Sequence, residues 1–338
     1  MPYLESTVFK GSKSGEIVQS STVISKPFGN QVLVKITHSG ICGTDEHFRH
    51  SDMVLGHEGV GIVLELGQDV QGLTVGDVVG WGYTHKTCGR CEQCELGQDQ
   101  YCPKRQKYGK ANLNQGSFGF YALQDAAFLF KIPAGISSEH AAPLMCGGAT
   151  VFEVMETYQL RPTQRIGVIG IGGLGHLAIQ FLAKMGATVV VFSSTRSKEE
   201  EAFRLGATEF HHTEGVTRFE GVQPLDHLIV TTSSQPKWKP FLAILKPKAT
   251  IFPLTVDTGP IGISLYPLVN FGFTIQGSSV ASRAVHRRML DFAARHQIQP
   301  IIEVFPMTKA GVQAGMDKLR AGKMRYRGVL SAQRAASL

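Results

Sequence analysis

Long apolar runs are missing from this chain. No segment approaches the roughly 20 apolar residues that span a bilayer, and residues 1–19 contain no apolar stretch of signal-peptide length. The final Ala336-Ser337-Leu338 lacks the basic residue of a peroxisomal ending. By default these absences lead to the expectation of a cytoplasmic protein with no membrane partner. Charged residues are also modest, at 18% against 43% hydrophobic, which excludes a disordered polyelectrolyte. The formal charge is +7, yet no continuous basic stripe develops. The runs Pro103–Lys107 and Arg320–Arg327 are short and broken by neutral residues, so nucleic acid is not an expected partner. There is no internal repeat and no low-complexity segment. The cysteines number only 6. In a cytoplasmic setting thiols stay reduced, so they do not read first as three disulfides.

What is present is a chain of 338 residues, long enough for two cores. Residues 31–36, 60–66 and 77–80 form short apolar runs set off by glycine, which reads as irregular β structure. The pattern changes after Pro143. A helix is expected over 150–160, stopped by Arg161-Pro162. Strands at 165–169, 188–192, 225–231, 250–254 and 273–276 then alternate with helices at 174–185 and 198–205. Short, continuously apolar strands separated by helices predict a parallel sheet covered on both faces, hence an α/β fold. Helices at 281–296 and 309–321 and a strand at 326–330 close the chain.

Gly170-Ile171-Gly172-Gly173-Leu174-Gly175 matches G-x-G-x-x-G between an apolar strand and an apolar helix, the context a dinucleotide site requires. The first glycine permits the tight turn, the second lets a pyrophosphate approach the backbone, and the last lets helix and strand pack closely. An ordinary glycine-rich turn is the bland alternative. About 20 residues further on, an NAD site carries an acid for the ribose hydroxyls. Here stand Ser193, Ser194, Thr195, Arg196, Ser197 and Lys198, with no acid before Glu199. Hydroxyls and cations suit a 2′-phosphate, whereas a carboxylate repels it. NADPH is therefore expected over NADH, with Ser193, Ser194, Thr195, Arg196 and Lys198 as contacts. Ser197 is also placed to cap the helix that follows.

Cys88, Cys91, Cys94 and Cys102 lie within 15 residues and can close a tetrahedral shell around Zn²⁺. Four protein ligands leave no open position, so the metal would be structural. An Fe–S cluster and a disulfide pair are the alternatives; the fourth spacing and the lack of a second set of cysteines disfavour the cluster. Cys42 and Cys146 remain, with His57 and Glu58 in Gly56-His57-Glu58. Two thiolates and an imidazole make a three-ligand set with one open position, as a catalytic zinc needs. Glu58 would be a fourth ligand or an acid behind the others, and Asp45 could accept the second N–H of His57. A buried apolar Cys146 and a hydrogen-bonded core His57 are the competing readings. Trp81, Tyr83 and Phe118 are cleft-lining or packing aromatics.

In order along the chain, Gly40-Ile41-Cys42-Gly43-Thr44-Asp45, Gly56-His57-Glu58, the four-cysteine lobe, Pro143–Thr150 and Gly167–His176 resemble the zinc-containing medium-chain dehydrogenases. Phe305-Pro306-Met307 and Arg320–Arg327 are similar to the cinnamyl-alcohol-dehydrogenase-like branch, which includes broad-specificity NADPH-dependent aldehyde reductases. The resemblance implies a GroES-like β-rich catalytic domain over 1–147 and 277–338, carrying the structural-zinc lobe, and a Rossmann NADP(H) domain over 148–276. It implies Cys42, His57 and Cys146 as catalytic zinc ligands with Glu58 nearby, and Cys88, Cys91, Cys94 and Cys102 as structural zinc ligands. It implies Thr44 at the substrate oxygen, His47 at the far end of a proton relay, Thr150 beside the nicotinamide, and Gly277, Ser278 and Ser279 near its carboxamide. A homodimer or homotetramer acting on an aldehyde or primary alcohol is expected. Two departures stand out: Gly43 follows Cys42 where relatives often carry histidine, and the stretch from Cys42 to His57 is shorter than in them. The shorter stretch implies a differently shaped or more open pocket. Reduction of a conjugated C=C or iminium bond, or a non-enzymatic NADPH-binding role, are the alternative functions.

Overall fold

A computed structural model describes residues 3–254, 256 and 259–332. Residues 333–338, which the sequence reading assigns to the catalytic domain, lie outside the described residues. The chain divides into two compact units: one runs up to Ala149 and resumes at Ala281, and the other is Thr150–Val280. Gly277, Ser278 and Ser279 thus fall within the second unit.

The first unit is built on a mainly antiparallel sheet. Its strands run in the order Ile302–Pro306, Arg327–Ser331, Gln31–Ile41, Gly59–Leu66, Val78–Trp81 and Phe130–Lys131, and Tyr121–Asp125 also pairs with Gln31–Ile41. Alternation puts Val32, Val34 and Ile36 into a core with Leu55, Val63, Val79, Met316 and Leu330. Trp81 and Phe118, 1% and 0% exposed, belong to this core and are packing residues. Two registers matter for the site. Gly328 pairs with Ile41, so Arg327 lies level with the start of Cys42. Ser39 pairs with Gly59, so Glu58 and His57 leave their strand beside Gly40. Helix Lys309–Arg320 covers the closing strands, and strand Ile302–Pro306, not foreseen from sequence, pairs in parallel with Arg327–Ser331.

The second unit is a six-stranded sheet, parallel throughout. Its spatial order is Glu209–His212, Thr188–Ser193, Arg165–Ile169, Leu225–Val230, Leu245–Pro253, Thr274–Ile275. Numbered along the chain that is 3-2-1-4-5-6, the doubly wound arrangement whose ligand crevice lies where the order reverses. Strand Arg165–Ile169 and helix Gly175–Met185 flank the glycine motif as the sequence predicts. Val189, Val190, Val191 and Phe192 are fully buried, which explains their continuous apolar run. Helix Leu265–Phe271 and strand Glu209–His212 were not foreseen. Polar residues on the strand, including two histidines, mask its period. The cap expected of Ser197 is not made: Lys198 is the N-cap, without a side-chain cap, and Ser197 instead bonds Thr195 Oγ1 at 3.0 Å.

Candidate active site and metal centres

Cys42 ends the extended strand and precedes the short helix Gly43–His47. Asp45 in that helix turns back: its Oδ2 accepts the Cys42 N–H at 2.9 Å, and its Oδ1 accepts from His57 Nδ1 at 3.0 Å. Thr44 is half-buried and His47 exposed on the same turn, three residues apart, a spacing that puts both on one helix face. Gly43 has open space where a Cβ would stand, so the histidine of relatives would meet no clash here.

Cys146 comes from a different local device. Helix Ser138–Pro143 ends on a proline, and the chain then takes one wider π turn, Leu144–Gly148, with Cys146 at its middle. Such turns recur at functional sites because the extra residue redirects a side chain. The result gathers one ligand atom each from Cys42, His57, Glu58 and Cys146 within 4.8 Å of one another. All but Cys42 are buried.

The donor set has the chemistry of a cation site. His57 Nδ1 is held by Asp45 while its Nε2, deeply buried, has no hydrogen-bond partner among the described residues. Glu58 Oε2 is buried and likewise without a partner among them, while Oε1 is paired with Arg327. Burial pushes the Glu58 carboxyl up to about 7 against the pull of Arg327. Burial works to lower the His57 imidazole, but the charge and hydrogen bond of Asp45 outweigh it and hold it well above its ordinary value. The two sulfurs share a proton unevenly: a hydrogen bond from Cys146 draws Cys42 well down against burial, and the same contact raises Cys146. Crowded thiols, an acid and a free imidazole nitrogen fit a divalent cation with mixed sulfur and nitrogen ligands. Gly40 is required here, because a Cβ at that position would run into the Glu58 carboxylate.

The second set is the cysteine lobe. Cys88, Cys91 and Cys94, half-buried, and Cys102, buried, bring their sulfurs within 4.8 Å of one another as free thiols. The Arg90 N–H draws the Cys88 thiol down to about 6, whereas Cys91, despite the N–H of Cys94, is pushed up to about 11 by burial and neighbouring sulfurs. Four thiols at this spacing fit a closed tetrahedral metal shell. Asp99 anchors the lobe's far end by accepting the backbone N–H of Arg283 at 3.1 Å and pairing with its guanidinium.

In the second unit the glycine motif behaves as its spacing requires. Gly170 has φ of 92°, with Thr232 Cγ2 2.8 Å from where a Cβ would stand. A Cβ at Gly175 would strike the Gly170 carbonyl, while Gly172 faces open space, leaving room for an approaching pyrophosphate. Gly173 and Leu174 complete the turn, half-buried. At the end of strand Thr188–Ser193, Ser193 is buried, Ser194, Thr195 and Arg196 are exposed, and Lys198 is half-buried. Lys198 Nζ donates to the Ile171 carbonyl at 2.8 Å, tying this segment to the glycine loop, and Arg196 pairs with Glu199 at 3.3 Å. His212 Nε2 bonds the Ser194 carbonyl at 2.8 Å from the neighbouring strand. Thr150 is half-buried at the start of its helix, and Gly277 accepts a hydrogen bond from the Tyr158 hydroxyl at 3.1 Å.

Sequence reasoning missed three residues. Arg327 stood only at the end of a short basic run and of a segment similar to the cinnamyl-alcohol-dehydrogenase-like branch, with no role at the site; Tyr108 was not singled out, and Arg49 lay in the shortened loop. Arg49 is 3% exposed; it bonds the Gly15 carbonyl and reaches Asp317 at 2.7 Å and Glu46 at 3.5 Å, pinning the short loop to helix Lys309–Arg320. No local pattern signals any of the three, since their partners are distant in sequence.

The structure pairs two candidate metal sites with a doubly wound dinucleotide-type sheet, and comparison with known proteins gives the class. Residues 29–134 match the alcohol dehydrogenase GroES-like domain, and residues 173–295 match the zinc-binding dehydrogenase domain. The chain is 34% identical over 313 residues to the aldehyde reductase AdhA of Synechocystis, covering 89% of this chain and 91% of that one. It is 34% identical over 317 residues to the probable cinnamyl alcohol dehydrogenase 8A of rice, covering 89% and 87%. Among solved structures, a cinnamyl alcohol dehydrogenase from Sorghum bicolor superposes with a TM-score of 0.91 at 30% identity, covering 99% of this chain and 100% of that one. An acetophenone reductase from Geotrichum candidum in complex with NAD superposes with a TM-score of 0.85 at 25% identity, covering 98% of each. The chain belongs to the zinc-binding medium-chain dehydrogenases, in their cinnamyl-alcohol-dehydrogenase-like branch. It is an oxidoreductase of the alcohol dehydrogenase and reductase class that uses a nicotinamide cofactor. Among the described residues no helix is long and apolar enough to cross a membrane.

Proposed function

We propose that this protein is an NADP(H)-dependent alcohol dehydrogenase that works as an aldehyde reductase and holds two zinc ions per chain. The observation that carries the reading is the buried set of Cys42, His57, Glu58 and Cys146 with His57 Nε2 unpartnered. Cys42, His57 and Cys146 would hold the catalytic ion, with Glu58 as an exchangeable fourth donor. Cys88, Cys91, Cys94 and Cys102 would hold the structural one. When bound, zinc supplies Lewis acidity toward a carbonyl or alcohol oxygen, and the nicotinamide supplies or accepts hydride.

The remaining roles belong to the chain. Asp45 fixes the His57 tautomer so that Nε2 presents its lone pair. Arg327 holds Glu58 back and balances its charge. The Thr44 hydroxyl hydrogen-bonds the substrate oxygen, and His47 exchanges the proton with solvent. The backbone at Gly170–Gly175 receives the pyrophosphate at a helix start. Ser193, Ser194, Thr195, Arg196 and Lys198 receive the 2′-phosphate; Thr150, Gly277, Ser278 and Ser279 flank the nicotinamide. Retention of Thr44 and His47 favours a carbonyl over a conjugated C=C or iminium substrate.

A cytoplasmic location suits two cysteine sets that must stay reduced. A homodimer or homotetramer suits helix Leu265–Phe271, which leaves Leu265, Tyr266 and Val269 exposed; light scattering decides between these and a monomer. The deciding experiment pairs metal analysis with NADPH oxidation over an aldehyde panel. Two zinc ions per chain and NADPH-dependent aldehyde reduction are expected, and Cys42→Ser should keep one zinc and lose turnover. Full activity in zinc-depleted protein overturns the reading.

A further inference from the structure

We infer that Tyr108 is a positioning residue for the catalytic metal, its hydroxyl fixing the Gly56 backbone beside His57 and its ring fixing the His57 imidazole. The inference rests on the zinc reading above. Tyr108 is 1% exposed. Its hydroxyl accepts the Gly56 N–H at 3.0 Å, the same N–H that Asp45 Oδ1 receives at 3.2 Å. Asp45 is itself fully buried and receives the Cys42 N–H at 2.9 Å, the Gly56 N–H at 3.2 Å and His57 Nδ1 at 3.0 Å. Three donors on a carboxylate with about four lone-pair directions fix its orientation, and Tyr108 holds the Gly56 donor among them. The three groups that the carboxylate binds are ligands or immediate neighbours of ligands: Cys42, Gly56 and His57.

The ring does separate work. It lies 4.7 Å from the His57 ring at 30°, while Phe48 meets it edge-on at 5.4 Å and 84°. The imidazole therefore has a flat wall on one side and a hydrogen bond at Nδ1, which leaves it little rotational freedom. Tyr108 reaches this place from the cysteine lobe. Strands Thr84–Lys86 and Gln106–Lys107 pair, and the Tyr108 N–H then bonds the Tyr83 carbonyl at 2.9 Å. A residue six positions after Cys102 thus supports the other metal's ligands.

The test is zinc release from the holoenzyme to a colorimetric chelator, with the cobalt-substituted protein read by its visible spectrum. Tyr108→Phe keeps the ring and removes only the O–H. One of the two zinc ions should leave faster by on the order of tenfold, the low end for loss of a group that supports a metal ligand, and the other should leave at the wild-type rate. The cobalt bands of the fast-exchanging site should shift. Tyr83→Phe, a second tyrosine beside His57 at 6.0 Å, is the control and should change neither rate. Wild-type rates for both ions in Tyr108→Phe overturn the inference, and so does equal acceleration of both, which would mark general loosening. A wild-type protein holding a single zinc overturns the zinc reading itself, a result seen before any variant is made.

Discussion

Arg327 and Glu58, 269 positions apart in the sequence, form an ion pair that is wholly enclosed by the first unit. The register of the closing strand brings the guanidinium to the Glu58 carboxylate at the point where Gly40 leaves room for it. A buried pair adds little net stability when intact, but removing one partner strands a charge. Arg327→Met should therefore destabilise the protein by about 3–5 kcal/mol in urea unfolding. The double variant Arg327→Met with Glu58→Gln should recover part of that loss. A single-variant cost near zero would mean that solvent reaches the pair.

On the NADP(H) reading, cofactor choice would divide between two cations with different attachments, Arg196 and Lys198. Arg196 is exposed and its guanidinium pairs with Glu199 at the start of the following helix, so Arg196→Ala should raise KM for NADPH by on the order of tenfold, the worth of one charge-assisted hydrogen bond. KM for NADH should barely move. Lys198 also holds the Ile171 carbonyl of the glycine loop. Lys198→Ala should weaken NADPH most and NADH measurably. Equal losses for both cofactors in Arg196→Ala would refute a 2′-phosphate site at this strand end.

His47 stands exposed one helical turn from Thr44. His47→Ala should lower kcat on the order of a hundredfold, the low end for a positioned proton-transfer group. Added imidazole should restore part of the rate. A wild-type kcat in His47→Ala would take His47 out of the relay.

His286 predicts a stability profile. It is buried, stacked on Phe130 at 4.0 Å and 16°, and its Nε2 has no hydrogen-bond partner. Burial, helped by the charge of Arg287, lowers its pKa from 6.5 to about 3. The fold thus prefers the neutral ring, and the unfolded chain takes the proton first. The contribution is complete above the ordinary value, declines by about 1.4 kcal/mol per pH unit as the pH falls toward about 3, and levels below it. His286→Phe should flatten that acid slope in denaturant titrations at several pH values. A slope identical to wild type would place the protonation elsewhere.

The sequence by itself determined the local devices. The glycine motif, the four-cysteine spacing and the apolar strands of the second unit are short-range patterns, because tight turns, chelation within a loop and strand burial all act over a few residues. Only the tertiary structure decided which distant groups share a site. Cys146 joins Cys42 through a π turn behind a proline, Arg327 reaches Glu58 through strand register, and Tyr108 arrives from the lobe to hold the Gly56 backbone beside His57. Such contacts depend on strand pairing between segments far apart along the chain, and no periodicity near either partner encodes them.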